Sequence, residues 1–312
     1  MEVKKSKYTI PRITGFFFLT ALLLLSGCNT YYYAPGDANL LAIAEQGDLK
    51  VGAGGNLIGK DRSYSVQAGY SPIKHLGVKG QFFRIKDSAP TNANTSPFFN
   101  ASNREITGRG FMGEACIGGY LTSKNWRVGQ DSGEGSKYRM PLQSSFDAYL
   151  GYARGRISND YVTSLFTSGY GYTPGYGYGA PVQVENVGSS ELDFNKYFMQ
   201  IGTHLSLYSI GLDFGFRGGV LDYSRAVLNG QVIEDEEVDI YRLQATDPLF
   251  TFETSFRFQV GIKHARMYLS GTVARYNEEV NDILKPAVFQ WGTILDLDEI
   301  FRKKVEDPGV EF

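Results

Sequence analysis

Cysteine, histidine and proline are scarce in this chain of 312 residues, which contains two, three and 11 of them, respectively. Two cysteines cannot build a disulfide framework, and three histidines offer little material for a metal or catalytic centre. Beyond residue 27, no apolar run approaches the 18 or so residues of a membrane-spanning helix. With a formal net charge of −2, the chain also lacks the basic excess typical of nucleic-acid-binding proteins. Any passage through a membrane must therefore use strands.

The amino terminus joins a basic flank to a short apolar run. The run, from Phe16 to Leu25, is too short to span a membrane comfortably. Small Ser26 and Gly27 then precede Cys28. This order resembles that of bacterial lipoprotein precursors, in which the cysteine sulfur receives a diacylglyceryl group and the signal is removed in front of it. An ordinary secretory signal with an incidental cysteine is the alternative. The basic residues of the flank are Lys4, Lys5, Lys7 and Arg12.

The lipoprotein interpretation divides the amino-terminal part of the chain. It predicts a signal peptide at residues 1–27, a lipid such as palmitate on Cys28, and a tether over residues 28–47 that packs against the main domain. Loss of four basic residues and one acidic residue with the signal changes the net charge from −2 to about −5. Cys116 then has no intramolecular disulfide partner, so we expect it to be a packing residue.

Glycine (37), tyrosine (21) and phenylalanine (21) are abundant instead, as in long strands with aromatic edges. From Leu249 to Ile262, apolar residues alternate with charged, hydroxylic or small ones, which is the period of a strand. Similar segments, together with the glycine-rich Leu49–Leu57, bring the predicted total to ten strands. The others are Tyr64–Tyr70, Leu76–Phe82, Phe111–Leu121, Phe146–Tyr152, Tyr197–Leu207, Ile210–Phe216, Met267–Val273 and Phe289–Leu297.

The connections between these strands alternate in length. Tight links follow strands two, six and eight, and long ones follow strands three, five and seven, as in outer-membrane barrels with short periplasmic turns. The link Thr122–Leu142 breaks the pattern, since a long link stands where a turn is expected. It contains extra strand around Trp126–Val128, or the predicted register is wrong there. The long outer links are Lys86–Glu105, Arg156–Glu191 and Asp222–Pro248.

An even number of strands returns the carboxyl terminus to the periplasm. We therefore predict a barrel over residues 48–298 and a periplasmic tail over residues 299–312, with the lipid anchor on the same periplasmic side. Alternation alone would also suit a soluble barrel with its apolar face turned inward. The loop lengths favour the membrane barrel.

The mature chain resembles the small outer-membrane β-barrel proteins of Bacteroidota that carry a lipobox. The resemblance rests on the tether tyrosines Tyr31–Tyr33, on Tyr64–Tyr70 and on the final Val288–Gly292 strand. It implies an all-β fold, namely an antiparallel up-and-down transmembrane β-barrel of about ten strands with an N-terminal lipid-anchored tether. The sequence departs from the usual ending of such barrels, because Phe312 follows the polar stretch Arg302–Glu311 instead of closing the last strand.

Motifs for enzymatic chemistry are weak. Gly54, Gly59 and Lys60 have the spacing of a phosphate-binding loop, but Asp61 stands where a metal-binding Ser or Thr is required, so no nucleotide is expected. The histidines are dispersed, so we expect neither a metal site nor catalysis, and the only cofactor-like group predicted is the covalent lipid on Cys28. They are His75, His204 and His264.

The predicted inward face carries charges of both signs. A pore lining is one interpretation, and a salt-bridged plug that fills a narrow lumen is the favoured one. The tight turn at Tyr208-Ser209 places His204 opposite Asp213 and Gln200 opposite Arg217, as structural pairs inside the lumen. The inward set comprises Lys79, Gln81, Glu114, Asp147, Lys196, Gln200, His204, Asp213, Arg217, Glu253, Arg257 and Arg266.

The function predicted from these features is a structural or surface-interaction role in the outer membrane. The expected partners are outer-membrane lipid, lipopolysaccharide and a surface ligand held by Arg156–Glu191 and Asp222–Pro248, with no nucleic acid. Tyrosines and glycines of Gly169–Tyr178 suit stacking on sugars or lipopolysaccharide, and Glu234–Asp239 is expected to be a solvated acidic surface. The alternatives are a small-solute channel, a soluble lipocalin-like lipoprotein that binds an apolar ligand, and an outer-membrane hydrolase that depends on His204 or Asp213.

Replacement of the predicted lipid-bearing residue is the direct test of the signal assignment. We expect Cys28→Ala to abolish fatty-acid attachment and to delay removal of the signal, because Cys116 lies in no comparable context. Metabolic labelling with a fatty acid measures this, with Cys116→Ala as the control that keeps the label. Label retained by Cys28→Ala would contradict the assignment.

Overall fold

The structure is a computed structural model in which ten antiparallel strands close into a single barrel. Neighbours along the chain pair with one another, and β1 pairs with β10 to complete the ring. This confirms the predicted antiparallel up-and-down barrel of about ten strands.

Residues 32–298 are described, except for 37, 57–61, 93–101, 129–139, 168–181, 208, 231–233, 247, 263 and 282. The strands are β1 (Leu49–Asn56), β2 (Arg62–Ile73), β3 (Leu76–Asn92), β4 (Ser102–Val128), β5 (Met140–Thr167), β6 (Val182–Leu207), β7 (Ile210–Gly230), β8 (Leu249–Ile262), β9 (Ala265–Tyr276) and β10 (Ala287–Asp296); helix α1 (Glu234–Ala245) follows β7, and a 3-10 turn (Glu278–Val280) follows β9.

The two faces of each strand differ in polarity. In β8, Phe256 and Phe258 are each 40% exposed, whereas Arg257 between them is 1% exposed. Apolar side chains therefore point out of the barrel and charged ones point into it, the reverse of a soluble barrel. The lipocalin-like alternative does not fit, because it requires an apolar interior. The outward apolar band includes Tyr64, Val66, Phe82, Phe111, Ile117, Leu150, Met199, Phe214, Phe216, Phe252, Leu269 and Trp291. None of the helices in the described ranges has the length and apolarity needed to cross a bilayer.

Three neighbouring strands continue far beyond this apolar band. β4, β5 and β6 contain 27, 28 and 26 residues. Most of the predicted loop Arg156–Glu191 is therefore strand, since β5 ends at Thr167 and β6 begins at Val182. Backbone pairing continues where the alternation of apolar and polar residues stops, so the period of the sequence underestimates the lengths of these strands. Lys86–Glu105 is shortened in the same way, and Asp222–Pro248 contains the end of β7 and α1.

The opposite end of the barrel carries the short connections. Two residues link β2 to β3, β6 to β7 and β8 to β9. The exceptional link Thr122–Leu142 contains extensions of paired strand at both of its ends, because β4 continues to Val128 and β5 begins at Met140, with a register shift after Ser123. We call this end the short-connection end and the other the long-connection end.

Residues 32–44, here called the lumen segment, pass through the inside of the barrel; Asp37 within them is not described. The segment joins β1 at the short-connection end and reaches Tyr32 at the long-connection end. The predicted tether is therefore an internal plug, and its free end points away from the side on which the sequence analysis placed the anchor. An irregular segment without a partner strand has no period, so the sequence pattern did not reveal its path.

The outward apolar band makes a prediction about stability in lipid. We expect Phe256→Arg, in the middle of the outward face of β8, to lower the free energy of unfolding by about 2 to 4 kcal/mol, because arginine is poorly solvated at the bilayer midplane. The matched change Ser158→Arg, on the outward face of β5 beyond the band, should have an effect of about 0 to 1 kcal/mol. Urea unfolding in lipid vesicles measures both, and equal losses would contradict the assignment of the band.

Candidate functional site

A tight turn at the short-connection end leads from the lumen segment into β1. The Asp48 carboxylate accepts hydrogen bonds from the backbone N–H groups of Ala44 and Glu45, at 2.8 and 3.1 Å. Backbone hydrogen bonds to Ser71 of β2 fix this turn to the barrel wall. Gly47 has a φ of +86°, a left-handed conformation that glycine adopts without steric strain. The turn reverses the chain, so the lumen segment runs back along the inside of the wall.

Asn39 holds the middle of the lumen segment to three strands. Its side-chain nitrogen donates to the carbonyl oxygens of Gly80 in β3, at 2.9 Å, and Ala68 in β2, at 3.3 Å. Its own carbonyl oxygen accepts from Lys79 Nζ at 3.3 Å and from Gln200 Nε2 at 3.1 Å. The backbone of an irregular buried segment needs such partners, because an unpaired polar group in the interior is destabilising.

Glycines in the wall make room for the aliphatic side chains of the lumen segment. A Cβ atom at Gly215 of β7 would lie 2.6 Å from Leu40 Cδ2, and one at Gly77 of β3 would lie 3.1 Å from Ile43 Cδ1. Leu40 and Ile43 are almost completely buried. The wall is therefore shaped around these side chains, and the lumen is filled by the chain itself.

Two tyrosines anchor the segment at the long-connection end. The backbone N–H of Tyr32 donates to the Ile283 carbonyl at 3.4 Å, and that of Lys285 donates to the Tyr33 carbonyl at 2.9 Å. The Tyr223 hydroxyl also donates to the Tyr32 carbonyl at 3.1 Å. Residues 32 and 33 are thus tied both to the barrel wall and to the connection between β9 and β10.

Helix α1 contributes to an apolar cap over the same tyrosines. Ile240 and Leu243 of α1 are buried in one cluster with Tyr32, Tyr33 and Val280. The acidic stretch Glu234–Asp239, expected to be a solvated acidic surface, forms the first half of this helix, and its Glu237 is exposed. The buried face of the helix comes from Ile240 and Leu243, which follow the acidic stretch, and it packs only in the tertiary structure.

A network of four charged side chains surrounds Tyr33 inside the barrel. Lys196 Nζ lies 2.6 Å from Glu253 Oε1, and the Tyr33 hydroxyl donates to the same oxygen at 3.0 Å. Arg217 donates through both terminal nitrogens to Glu114, at 3.1 and 3.0 Å, and also lies 3.5 Å from Glu253 Oε2. Two cations and two carboxylates balance, which is the condition under which buried charges are tolerated.

A second network lies nearer the short-connection end. The His204 ring donates through Nδ1 to Asp213, at 3.1 Å, and through Nε2 to Asp147, at 3.0 Å. Ionised carboxylates only accept hydrogen bonds, so a ring between two of them must donate from both nitrogens and carries a positive charge. Lys79 Nζ lies 2.7 Å from Asp147 Oδ2. This network therefore also balances two cations against two carboxylates.

The structure places the sequence-predicted lumen residues as follows. His204 is directly paired with Asp213, and Gln200 with Arg217, across β6 and β7. Gln200 Oε1 accepts from Arg217 Nη2 at 2.8 Å, so the Gln200 amide joins the network around Tyr33. We call that network the upper network and the one around His204 the lower network. Of the larger inward set, all members except the partly exposed Arg266 are buried. Cys28 lies outside the described residues.

The contact between Asp147 and His204 was missed by the sequence analysis. Asp147 is paired with Gly202 on β6, and a Cβ atom there would lie 2.3 Å from Asp147 Oδ1. The missing side chain of Gly202 lets the carboxylate reach diagonally to His204. No short turn joins β5 to β6, so local sequence carries no signal for this register.

A polar cavity of about 70 Å³ lies beside the lower network, lined in part by His204, Asp213, His264 and Arg266. Within the described ranges, no group of three or more His, Cys, Asp or Glu side chains is placed to hold a metal ion. Gly54 lies in β1, and the other residues of the phosphate-loop-like motif lie outside the described residues. The cavity is therefore a small space between polar side chains and the apolar side chains of Leu41 and Ile294.

Basic side chains point outward just beyond the apolar band at the long-connection end. Arg84 pairs across strands with Tyr64, and Arg156 with Phe111, so each basic residue adjoins an aromatic residue of the band. Some are balanced, as Arg156 is by Asp193 with Nε to Oδ1 at 2.5 Å. We call this set the basic stripe; it comprises Arg62, Arg84, Lys86, Arg109, Arg154, Arg156, Arg225 and Arg275.

Comparison with known proteins yields distant structural likenesses. No family model and no curated protein matches the chain. The outer membrane protease OmpT from Escherichia coli is 9% identical with a TM-score of 0.41, over 81% of this chain and 94% of that one. The transport unit of the autotransporter AIDA-I from Escherichia coli is 9% identical with a TM-score of 0.28, over 89% and 97%. OmpT of Vibrio cholerae is 10% identical with a TM-score of 0.24, over 82% and 99%. Similarities this low carry no argument about function.

Removal of one carboxylate from the upper network is predicted to destabilise the barrel strongly. We expect Glu253→Gln to lower the free energy of unfolding by about 3 to 5 kcal/mol, since it leaves Lys196 and Arg217 with one buried carboxylate fewer. The control Glu191→Gln removes a carboxylate from a half-exposed pair with Arg156 and should have a much smaller effect. Denaturant unfolding in detergent or lipid compares the two. Equal effects would show that the lumen charges are not held as a network.

Proposed function

We propose that this protein is a lipid-anchored outer-membrane barrel that is sealed by its own lumen segment and has a structural or surface-interaction role. The observation that carries this proposal is the inverted polarity of the barrel. Apolar side chains face outward, while the interior contains neutralised charges packed around the lumen segment. A barrel of this kind is stabilised by lipid around its outer face, and its lumen is filled by its own side chains and the lumen segment.

Aromatic side chains at the edges of the apolar band support insertion in a membrane. Tyr152 and Tyr197 are exposed at the upper edge, with ring centroids 5.3 Å apart, and the Tyr152 hydroxyl donates to Asn195 at 2.6 Å. Tyr70 is exposed near the short-connection end. Tyrosines in these positions keep the ring in lipid and the hydroxyl in the polar interface.

The basic stripe favours one orientation in that membrane. Lipopolysaccharide carries phosphate groups in the outer leaflet, and arginine binds phosphate well because its guanidinium offers paired donors. We assign the long-connection end to the cell exterior, as the lengths of the connections also favour. Outer-membrane lipid and lipopolysaccharide are the partners proposed for this stripe.

The surface role is assigned to the strand extensions instead of flexible loops. β4, β5 and β6 rise beyond the band, and within the predicted interaction region Arg156–Glu191 they carry paired charges such as Arg156 with Glu191, with Nη1 to Oε2 at 3.8 Å. The range Asp222–Pro248 contains the end of β7 and α1. A paired sheet presents a stable surface to a ligand.

The two remaining alternatives are less well supported by the geometry. A solute channel requires an open lumen, whereas Arg217, Arg257 and Lys196 are fully buried against the lumen segment and the wall. A hydrolase requires a histidine that reaches its substrate, but both ring nitrogens of His204 are held by carboxylates in the buried lower network. Absence of enzymatic activity and the Bacteroidota resemblance stay predictions.

Electrophoresis and planar-bilayer recording together test this proposal. We expect the barrel to migrate differently with and without boiling, as folded membrane barrels do, and to show no steady conductance. Deletion of residues 29–43 should open conductance in molecules that keep the heat-dependent shift, because the lumen then loses its filling. The deletion variant is compared with Cys28→Ala, which keeps the lumen segment. Steady conductance of the intact chain would contradict the sealed barrel, and absence of a heat-dependent shift would contradict membrane insertion.

A further inference from the structure

The direction of the lumen segment decides where the amino terminus leaves the barrel. The segment starts beside Thr122 at the short-connection end, where the Thr122 hydroxyl donates to the Ala44 carbonyl at 2.9 Å. It ends at Tyr32, which is bonded to Ile283 in the connection between β9 and β10. Hydrogen bonds donated by the side chains of Asn39, to the Gly80 carbonyl, and Tyr33, to Glu253, fix the path between these points. The residues before Tyr32 therefore begin at the long-connection end.

The short distance in sequence keeps Cys28 at that end. Cys28 lies four positions before Tyr32, and a fully extended chain of four residues spans at most about 14 Å. The hydrocarbon core of a bilayer is about 30 Å thick. Cys28 thus cannot return to the short-connection side, whatever conformation residues 28–31 adopt.

The barrel rim is low on the side from which the segment would emerge. β1 ends at Asn56 and β2 begins at Arg62, whose neighbour Tyr64 belongs to the apolar band. β9 ends at Tyr276, close to the outward Arg275 of the basic stripe. The high wall formed by β4, β5 and β6 lies across the barrel. The described strands on this side therefore form a lower wall than β4, β5 and β6 for a chain that leaves beside Ile283.

We infer that the mature amino terminus emerges on the outer surface of the membrane and that the acyl chains on Cys28 enter the outer leaflet. The inference rests on the proposed membrane insertion, the proposed orientation and the proposed lipid on Cys28. Acyl chains have to be buried in hydrocarbon, and the outer leaflet is the only hydrocarbon within reach of Cys28. The lumen segment then acts as a covalent tie between an outer-leaflet lipid and a barrel wall that grips it along its length.

A lipid in the outer leaflet and a lipid on the periplasmic side would act differently on the lumen segment. A lipid held in the outer leaflet opposes withdrawal of the lumen segment toward the short-connection end, since the acyl chains would have to leave hydrocarbon. The Asp48 turn opposes withdrawal in the other direction, because Gly47 and Asp48 are bonded to Ser71 of β2. The plug is thereby secured at both ends.

Proteolysis of intact cells tests where the amino terminus lies. A recognition sequence for a site-specific protease is inserted between Thr30 and Tyr31, and the matched control carries it after Pro308 in the predicted periplasmic tail. With metabolic fatty-acid labelling, we expect the added protease to remove the label from the barrel of the first variant in intact cells. The control should be cleaved only after the outer membrane is permeabilised.

The outcomes separate this inference from the proposed function. Cleavage of the first variant only after permeabilisation would overturn the outer exit, provided that the barrel still shows its heat-dependent shift. A lost shift in the unaltered protein would instead contradict the proposed function. If the insertion disturbs folding, a second variant is used, Thr30→Cys in a Cys116→Ala background. Reaction of its new thiol with a membrane-impermeant maleimide then reports on which side of the membrane residue 30 lies. Labelling in intact cells supports the outer exit, and labelling only in permeabilised cells overturns it.

Discussion

Charge neutralisation inside a narrow barrel is the constraint on which the rest of this structure depends. Once the apolar residues of each strand face outward, the alternate residues must face inward, and many of them are charged. Isolated ions in such a lumen would be strongly destabilising, so each carboxylate needs a cation at hydrogen-bonding distance. Lys196, Glu253, Arg217 and Glu114 meet this condition in one layer, and Lys79, Asp147, His204 and Asp213 meet it in another.

The lumen segment supplies polar partners and fills volume that the side chains of the barrel wall alone do not provide. Between the two layers, Asn39 and the Ala38 carbonyl supply polar partners to Lys79, Gln200 and Arg257. Leu40 and Ile43 fill volume beside wall glycines, and Tyr33 joins the upper network through its hydroxyl. Sealing of the lumen and positioning of the amino terminus therefore follow from the same contacts.

The sequence predicted the parts of this arrangement that depend on local period. Ten strands, the outward apolar face of β8 and the pairing of His204 with Asp213 across a two-residue turn all follow from alternation and turn length. The contact of Asp147 with His204 depends on a register set by the whole sheet, beyond the reach of local sequence. The extensions of β4, β5 and β6 were missed because the alternation of outward apolar and inward polar residues stops above the band, where apolar Ile157, Tyr161 and Leu192 are buried on the inner face. The lumen segment was missed because its order comes entirely from partners distant in sequence.

A designed cross-link is the most direct measurement of whether the lumen segment occupies the barrel. Leu40 Cγ lies 3.7 Å from the Cβ position of Gly215, so a cysteine sulfur at residue 40 would lie within bonding reach of a cysteine at 215 after small adjustment. In a Cys116→Ala background, mild oxidation should join Leu40→Cys to Gly215→Cys. It should not join Leu40→Cys to Gly218→Cys, since Gly218 pairs with the outward Met199 on the other face of the wall. Mass spectrometry of the joined peptides measures both. Equal cross-linking of the two pairs, or a Leu40→Cys thiol that stays free and reactive in the folded barrel, would contradict the threaded lumen.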